Sequence, residues 1–157
     1  MCIDYCDLNK ITIKNHCPLP CIDESFNQLL NAAVFSKIDL ASGYHQIRIR
    51  PEDVHKTTFR TRYGHFEFTV LPFGLTNTPT TFTTLMNDVL CPFLDKFVIV
   101  YIDDILIYLK SLNKHTEHIH QVLDKLHEHR LYTKMSKCEF GLSELEFLGH
   151  IVSKNSI

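Results

Sequence analysis

A chain of 157 residues is long enough for one sizeable core or for two small, intimately packed subdomains. Its 45% apolar and 22% charged residues are ordinary for a globular protein, and no apolar run reaches the ~18 residues that a membrane span requires. The start, Met1-Cys2-Ile3-Asp4, lacks the basic region and apolar stretch of a signal peptide, and a net charge of −2 excludes a basic field over the whole surface.

In chain order, Met1 to Asp4 is predicted as a short strand, followed by a polar, proline-containing connection through Pro20. Ile22, Phe26, Leu29 and Leu30 fall on one helical face, and Asp23 and Glu24 suit a first helical turn. Val34 to Leu40 alternates as a strand does and runs into a break at Ser42-Gly43. Thr57 to Arg62 and Phe66 to Leu71 predict a hairpin about Tyr63-Gly64. Around it Arg48, Arg50, Lys56, Arg60 and Arg62 face only Glu52 and Asp53, a cluster that suits either a phosphate backbone or a solvated face. Thr78-Pro79 opens a helix, to about residue 92, that turns Phe82, Leu85, Met86, Val89 and Leu90 inward.

Phe97 to Ile102 is the most apolar stretch and predicts a buried strand. Asp103-Asp104 interrupts it and Ile105 to Tyr108 resumes it, the pattern of a tight hairpin with carboxylates at its tip. A helix from about Asn113 to Arg130 turns Ile119, Val122, Leu123 and Leu126 inward, and a last hairpin runs from Leu145 to Val152 about Gly149. The order of elements is that of an α+β domain. The histidines at His115, His118, His120, His127 and His129 read as a solvated helix face. Cys2 and Cys6, like Cys17 and Cys21, have a C-x3-C spacing that zinc uses, but strand-like flanks and the stiffness of Pro18 and Pro20 speak against it; the thiols read as reduced cysteines of an intracellular protein.

Two adjacent aspartates between strands this apolar are costly, because the anions repel and each loses water. A turn accounts for one aspartate; two fit a hard cation better. Asp39 is a second case, at the end of a strand and just before a break. If its strand neighbours that of Asp103, three carboxylates converge at one sheet edge. Oxygen ligands favour Mg²⁺ or Mn²⁺ over zinc, and two such ions roughly 3.5–4 Å apart serve phosphoryl transfer in polymerases and nucleases alike.

Five blocks taken together separate those two. They are Ile3-Asp4-Tyr5 with Leu8-Asn9-Lys10, Phe35-Ser36-Lys37-Ile38-Asp39-Leu40 with Ser42-Gly43-Tyr44-His45-Gln46-Ile47, Leu71-Pro72-Phe73-Gly74-Leu75-Thr76-Asn77, Tyr101-Ile102-Asp103-Asp104, and Phe147-Leu148-Gly149-His150. In this order, across nearly the whole chain, they resemble the reverse transcriptases of gypsy-like long-terminal-repeat retrotransposons. The resemblance implies the fingers and palm of a right-hand polymerase, with a ferredoxin-like antiparallel palm sheet backed by helices. It also implies RNA-directed DNA synthesis with two Mg²⁺ or Mn²⁺ ions. Asp39, Asp103 and Asp104 match the family's metal-binding and catalytic carboxylates. Leu40, Ser42, Gly43, Tyr44, Phe73, Gly74 and Lys137 match positions about the incoming dNTP. Among them Tyr44 is a steric gate against a ribose hydroxyl, Gly43 allows close approach of backbone to triphosphate, and Lys137 lies near the pyrophosphate. Leu148, Gly149 and His150 resemble the primer grip. Implied partners are an RNA or DNA template with its primer, dNTP and the rest of a Pol polyprotein (thumb, connection and RNase H), with no membrane; the implied location is a cytoplasmic virus-like particle.

The chain departs from this pattern in places. It reads as an excerpt, residues 1–157 forming one domain without thumb, connection or RNase H, and the family's basic residue before the position of Met1 is absent. Cys6, Cys21 and Cys91 stand where arginine is common, Cys17 where tyrosine is, Leu109 for a small polar residue and Thr78 for alanine. These swaps suggest a decaying genomic copy, and the alternative to an active polymerase is a catalytically dead copy acting as a nucleic-acid-binding module. A two-metal nuclease is a further rival.

Overall fold

The computed structural model describes residues 3–15, 22–110 and 114–154. Along the chain come α1 (Cys6–Ile11), α2 (Ile22–Leu29), β1 (Val34–Asp39), the hairpin β2 (Phe59–Thr61) and β3 (Gly64–Phe66), α3 (Thr78–Leu90), β4 (Val98–Tyr101), β5 (Asp104–Leu109), α4 (His115–Glu128), β6 (Glu139–Leu142), and the hairpin β7 (Glu144–Phe147) and β8 (His150–Ser153). Short 3₁₀ turns lie at Gly43–Gln46, Pro51–Thr57 and Met135–Lys137.

The apolar stretches about Asp103-Asp104 pair as β4 and β5, Val98 opposite Ile107 and Tyr101 opposite Asp104. β1 takes the other edge of β5, antiparallel and unbroken from Val34 opposite Leu109 to Asp39 opposite Asp104. β6 adds to the far side of β1, so the sheet order is β4-β5-β1-β6. Because successive side chains of a strand point to opposite faces, each apolar strand supplies two cores. Ile38, Val98, Val100, Ile105 and Ile107 pack with Phe82, Met86, Val89 and Leu90 of α3 and with Val122 and Leu126 of α4. Phe35, Ile99, Leu106 and Tyr108 pack on the other face with Leu29, Ala32, Leu145, Phe147 and Val152. A continuous apolar run instead of alternation is what a sheet covered on both faces requires. The α+β architecture, with an antiparallel sheet backed by α3 and α4, is the one expected.

Several local expectations are corrected. Ile3 and Asp4 belong to no strand, and the connection after them contains α1, which buries no residue and therefore showed no apolar face. The second strand of the 57–71 hairpin is Gly64–Phe66, not 66–71; Val70 bridges to Arg48 instead. β6 was not foreseen, because Glu139-Phe140-Gly141-Leu142 is an exposed edge strand with Gly141 at φ +64° and a shift of register against β1. The histidines are not all solvated. His115 is 1% exposed, its Nε2 lies 2.7 Å from the buried Ser36 Oγ, and that oxygen accepts the Gly141 N–H at 2.9 Å, tying α4, β1 and β6. Burial, with His118 nearby, lowers the pKa of His115. The His118 ring stacks on Phe97, centroids 3.8 Å apart.

The absent side chain of Gly43 is explained by this core: a Cβ there would meet the Phe82 ring carbons at 2.9 Å. Gly43→Ala is expected to lower the unfolding free energy by about 1–3 kcal/mol, read from urea denaturation midpoints. In a chain already carrying Phe82→Leu the penalty of the alanine should shrink, since the ring edge is gone.

Candidate active site

Register gathers the acidic residues. Asp39 ends β1 and Asp104 opens β5 as its cross-strand partner, while Asp103 sits with Ile102 in the turn between β4 and β5. Ile102 has φ +52°, a conformation a β-branched residue adopts only where its surroundings impose it. Ser42 (φ +51°) and Leu148 (φ +53°) are two further non-glycine residues in this region of backbone space, and each borders one of two cavities beside the carboxylates.

Two lysines offset the crowded charge. Lys137 Nζ lies 3.3 Å from Asp39 Oδ2, and Lys37 Nζ lies 3.3 Å from Asp104 Oδ1. Asp103 is left out: its Oδ1 is buried with no hydrogen-bond partner. Burial, then the charges of Asp104 and Asp39, push its pKa above the ordinary carboxylate value against the opposing pull of Lys137. An orphaned anionic oxygen beside two more carboxylates is the donor chemistry of a hard divalent cation. As the side chains stand, no three acidic, histidine or cysteine groups among the described residues are close enough to share an ion. Asp39 and Asp104 are turned toward their lysines, and a cation would compete with those lysines for the same oxygens.

A cavity of about 500 Å³ opens on one side of the carboxylates, lined by Asp39, Leu40, Ser42, Gly43, Tyr44, Phe73, Asp103, Lys134 and Lys137. A second, of about 540 Å³, lies on the other side and is lined by Lys37, Asp39, Asp104, Lys137, Glu146, Leu148 and Gly149, among others. Tyr44 is buried, with its ring edge-on to Phe73 (5.1 Å) and Phe82 (5.2 Å). Burial and the charge of Asp103 raise the pKa of its hydroxyl. Tyr44 is thus both a core tyrosine and a wall of the cavity. Leu40 is buried in the core, and its backbone pairs with Thr133.

The backbone after Asp39 is pinned. Asp39 O accepts the Lys134 N–H at 2.8 Å, and Ala41 N–H donates to Tyr132 O at 2.9 Å. The Gln46 amide donates to Ala41 O and Tyr132 O at 2.7 and 2.9 Å and accepts the Tyr132 N–H at 2.7 Å.

Two expected site residues stand apart. Gly74 does not line the cavity; its Cα faces Ile3 O and the Tyr5 ring. The exposed His150 packs edge-on against Phe26, while Leu148 and Gly149 border the cleft. Lys37, Lys134 and Gln46 were missed as site residues. For Lys37 the signal was available, because alternation puts it on the face of Asp39 two positions on. Lys134 and Gln46 act through contacts between distant segments that no local pattern announces. Of the basic cluster, Lys56 pairs with Asp53 at 2.5 Å, Arg62 lies over the Tyr63 ring, and Arg48 lines a separate groove with His45, His129, Arg130 and Tyr132. Cys6 and Cys91 are exposed and line neither cavity beside the carboxylates. Cys2, Cys17 and Cys21 lie outside the described residues.

Residues 1–152 match the family described as reverse transcriptase (RNA-dependent DNA polymerase). The chain is 45% identical over 155 residues to the retrovirus-related Pol polyprotein from transposon 297 of Drosophila melanogaster, covering 99% of this chain and 15% of that protein. It is 53% identical over 125 residues to an RNA-directed DNA polymerase homolog of Oenothera berteroana, covering 78% of this chain and 88% of the relative. Against the transposon Tf2-3 polyprotein of Schizosaccharomyces pombe it is 39% identical, covering 98% and 12%. Among solved structures, a foamy viral protease-reverse transcriptase in complex with double-stranded DNA superposes with a TM-score of 0.89 over 97% of this chain and 26% of that one, at 24% identity, a likeness of fold. The native prototype foamy virus protease-reverse transcriptase does so with a TM-score of 0.78 at 28% identity, over 93% of this chain and 19% of that one. The chain therefore spans a small part of the polyproteins it matches, and it belongs to the reverse transcriptase (RNA-dependent DNA polymerase) family.

Proposed function

We propose that this chain carries the nucleotidyl-transfer centre of an RNA-directed DNA polymerase from a gypsy-like retrotransposon polyprotein. The observation that carries the reading is the cross-strand pair Asp39 and Asp104, with Asp103 in the adjoining turn, beside the cavity walled by Tyr44 and Phe73. Family membership implies dependence on divalent metal, and the finer reading is two Mg²⁺ or Mn²⁺ ions held by Asp39, Asp103 and Asp104. When bound, such ions lower the pKa of the attacking hydroxyl and neutralise the triphosphate.

The protein's own residues do the positioning. The dNTP enters the cavity with its triphosphate over the Ser42-Gly43 backbone and its base and sugar against Phe73 and Tyr44. The Tyr44 ring, braced by Phe73 and Phe82, fills the space a ribose hydroxyl would need. Lys137 offers a positive charge to the departing pyrophosphate and the turn at Leu148-Gly149 borders the primer end, while His150 contributes by fixing that hairpin against Phe26. Holding the primer hydroxyl and the α-phosphate together in this frame supplies much of the rate. Template, primer and the remaining polyprotein complete the partners. In this reading the setting is a cytoplasmic virus-like particle. The foamy viral protease-reverse transcriptases of like fold, solved in complex with an RNA/DNA hybrid and with double-stranded DNA, support nucleic acid as the substrate.

Primer extension on an RNA template tests this directly, with the chain carried in a complete polymerase frame. Activity is expected from the parent and less than about 1% of it from Asp103→Asn; a folded parent that extends nothing overturns the reading. Tyr44→Ala is expected to lower the preference for dNTP over ribonucleotide by about tenfold or more, measured as a ratio of kcat/KM values. A third expectation follows from the raised pKa of Asp103. The folded state holds that proton more tightly than the unfolded one, so stability is lost as pH rises from the ordinary carboxylate value through the raised one. In EDTA the melting temperature should fall across that window in the parent and less in Asp103→Asn. Mg²⁺ or Mn²⁺ at a hundred times its Kd should return about 2.7 kcal/mol to the parent and much less to the variant.

A further inference from the structure

We propose that Asn9 and Asn77 are positioning residues for the nucleotide cavity: two side-chain amides that clamp the 71–77 loop to the 9–15 segment, setting where Phe73 and, through it, Tyr44 stand. The inference rests on the reading of that cavity as a dNTP site. The loop belongs to no helix or strand, and Gly74 at φ +98° lies within it. Asn9 reaches across to it, Nδ2 donating to Gly74 O at 2.7 Å and Oδ1 accepting the Thr76 N–H at 2.8 Å. Asn77 reaches back, Nδ2 donating to Ile13 O at 2.8 Å and Oδ1 accepting the Asn15 N–H at 3.0 Å. Each segment thus lends one side chain to the other's backbone. A carboxamide carries donor and acceptor on one planar group; ionised aspartate keeps the acceptor and loses the donor.

Apolar burial does little to hold the segment. α1 buries no residue, and Ile11 and Ile13 are 81% and 88% exposed. Tyr5, just before α1, is its anchor in the core, its hydroxyl donating to Thr57 O at 3.0 Å. The contact it makes with the loop is at Gly74, where a Cβ would come 3.4 Å from Ile3 O and 3.6 Å from the Tyr5 ring. Among the described residues beyond Tyr5, the crossed amides supply the side-chain hydrogen bonds between this segment and the loop. These bonds are largely exposed, so water replaces them when they are lost. Removing one amide should therefore free the loop without unfolding the domain.

The loop matters to the cavity through its aromatic residue. Phe73 is half exposed, and its ring meets Tyr44 at 5.1 Å and His45 at 5.3 Å, both edge-on. If the loop drifts, Tyr44 keeps Phe82 on one side and loses its support on the other. The predicted loss is then in preorganisation of the pocket and in sugar discrimination.

The test uses the whole chain, with equilibrium binding of dTTP and of UTP in Ca²⁺ and amide hydrogen exchange on the same samples. Asn9→Ala and Asn77→Ala are each expected to weaken dTTP binding about tenfold and to narrow the dTTP-to-UTP affinity ratio, while the melting temperature stays within a few degrees. Asn9→Asp, which keeps one arm, should fall between parent and alanine. The double alanine variant should lose much less than the product of the single losses, since both amides hold one loop. Exchange should quicken at Thr76 in Asn77→Ala and at Asn15 in Asn9→Ala, amides whose hydrogen bond the altered residue does not make. A folded variant with parental affinity ratio and parental exchange overturns the clamp. A parent that binds neither triphosphate overturns the nucleotide reading instead, and the exchange result alone then decides whether the clamp exists.

Discussion

Like charge held together against its own repulsion is the constraint on which this structure turns. Asp39 and Asp104 are opposite each other because β1 and β5 pair without a break, and Asp103 is beside them because the chain must reverse within two residues. A slip of one residue would turn every side chain of β1 to the other face of the sheet, removing Phe35 and Ile38 from cores that hold them fully buried. Hydrophobic packing therefore fixes the register, and the register fixes the carboxylates. Lys37 and Lys137 offset two of the three charges. The third is left with a buried, unpartnered oxygen.

The cleft is continuous with the core. Phe82 of α3 fills the space beside Gly43 and braces Tyr44, so the helix that covers one face of the sheet also shapes the wall of the cavity. On the opposite side, β7 and β8 bury Leu145, Phe147 and Val152 against the second face and thereby carry Leu148 and Gly149 to the cleft. Non-glycine residues at positive φ occur at three points around it, Ser42, Ile102 and Leu148. Such conformations persist where surrounding contacts over-determine them, which two well-packed cores provide.

Much of this was legible in the residues. The apolar strands about Asp103-Asp104, the inward faces of α3 and α4 and the final hairpin all have strong local periodicity, and the structure follows them closely. Elements without such a signature escaped. α1 has no buried face, β6 is an exposed edge strand, and His115 sits among polar residues of a helix that otherwise looks solvated. Its partner Ser36 is 79 residues away, so nothing local marks it as buried. Glycine at position 43 was legible as a requirement, and the core adds a reason that no local pattern announces: a Cβ there would meet the Phe82 ring.

The sequence by itself determined the α+β composition, the acidic turn between two apolar strands and membership of a polymerase family, because each rests on short-range patterns and ordered motifs. Tertiary structure alone decided which lysine neutralises which aspartate, which carboxylate is left unpartnered, and that Gly74 and His150 stand outside the two cavities beside the carboxylates. It also decided the crossed amides of Asn9 and Asn77. These depend on distances between segments more than 60 residues apart, and such distances follow from how two cores pack, which no single stretch of chain encodes.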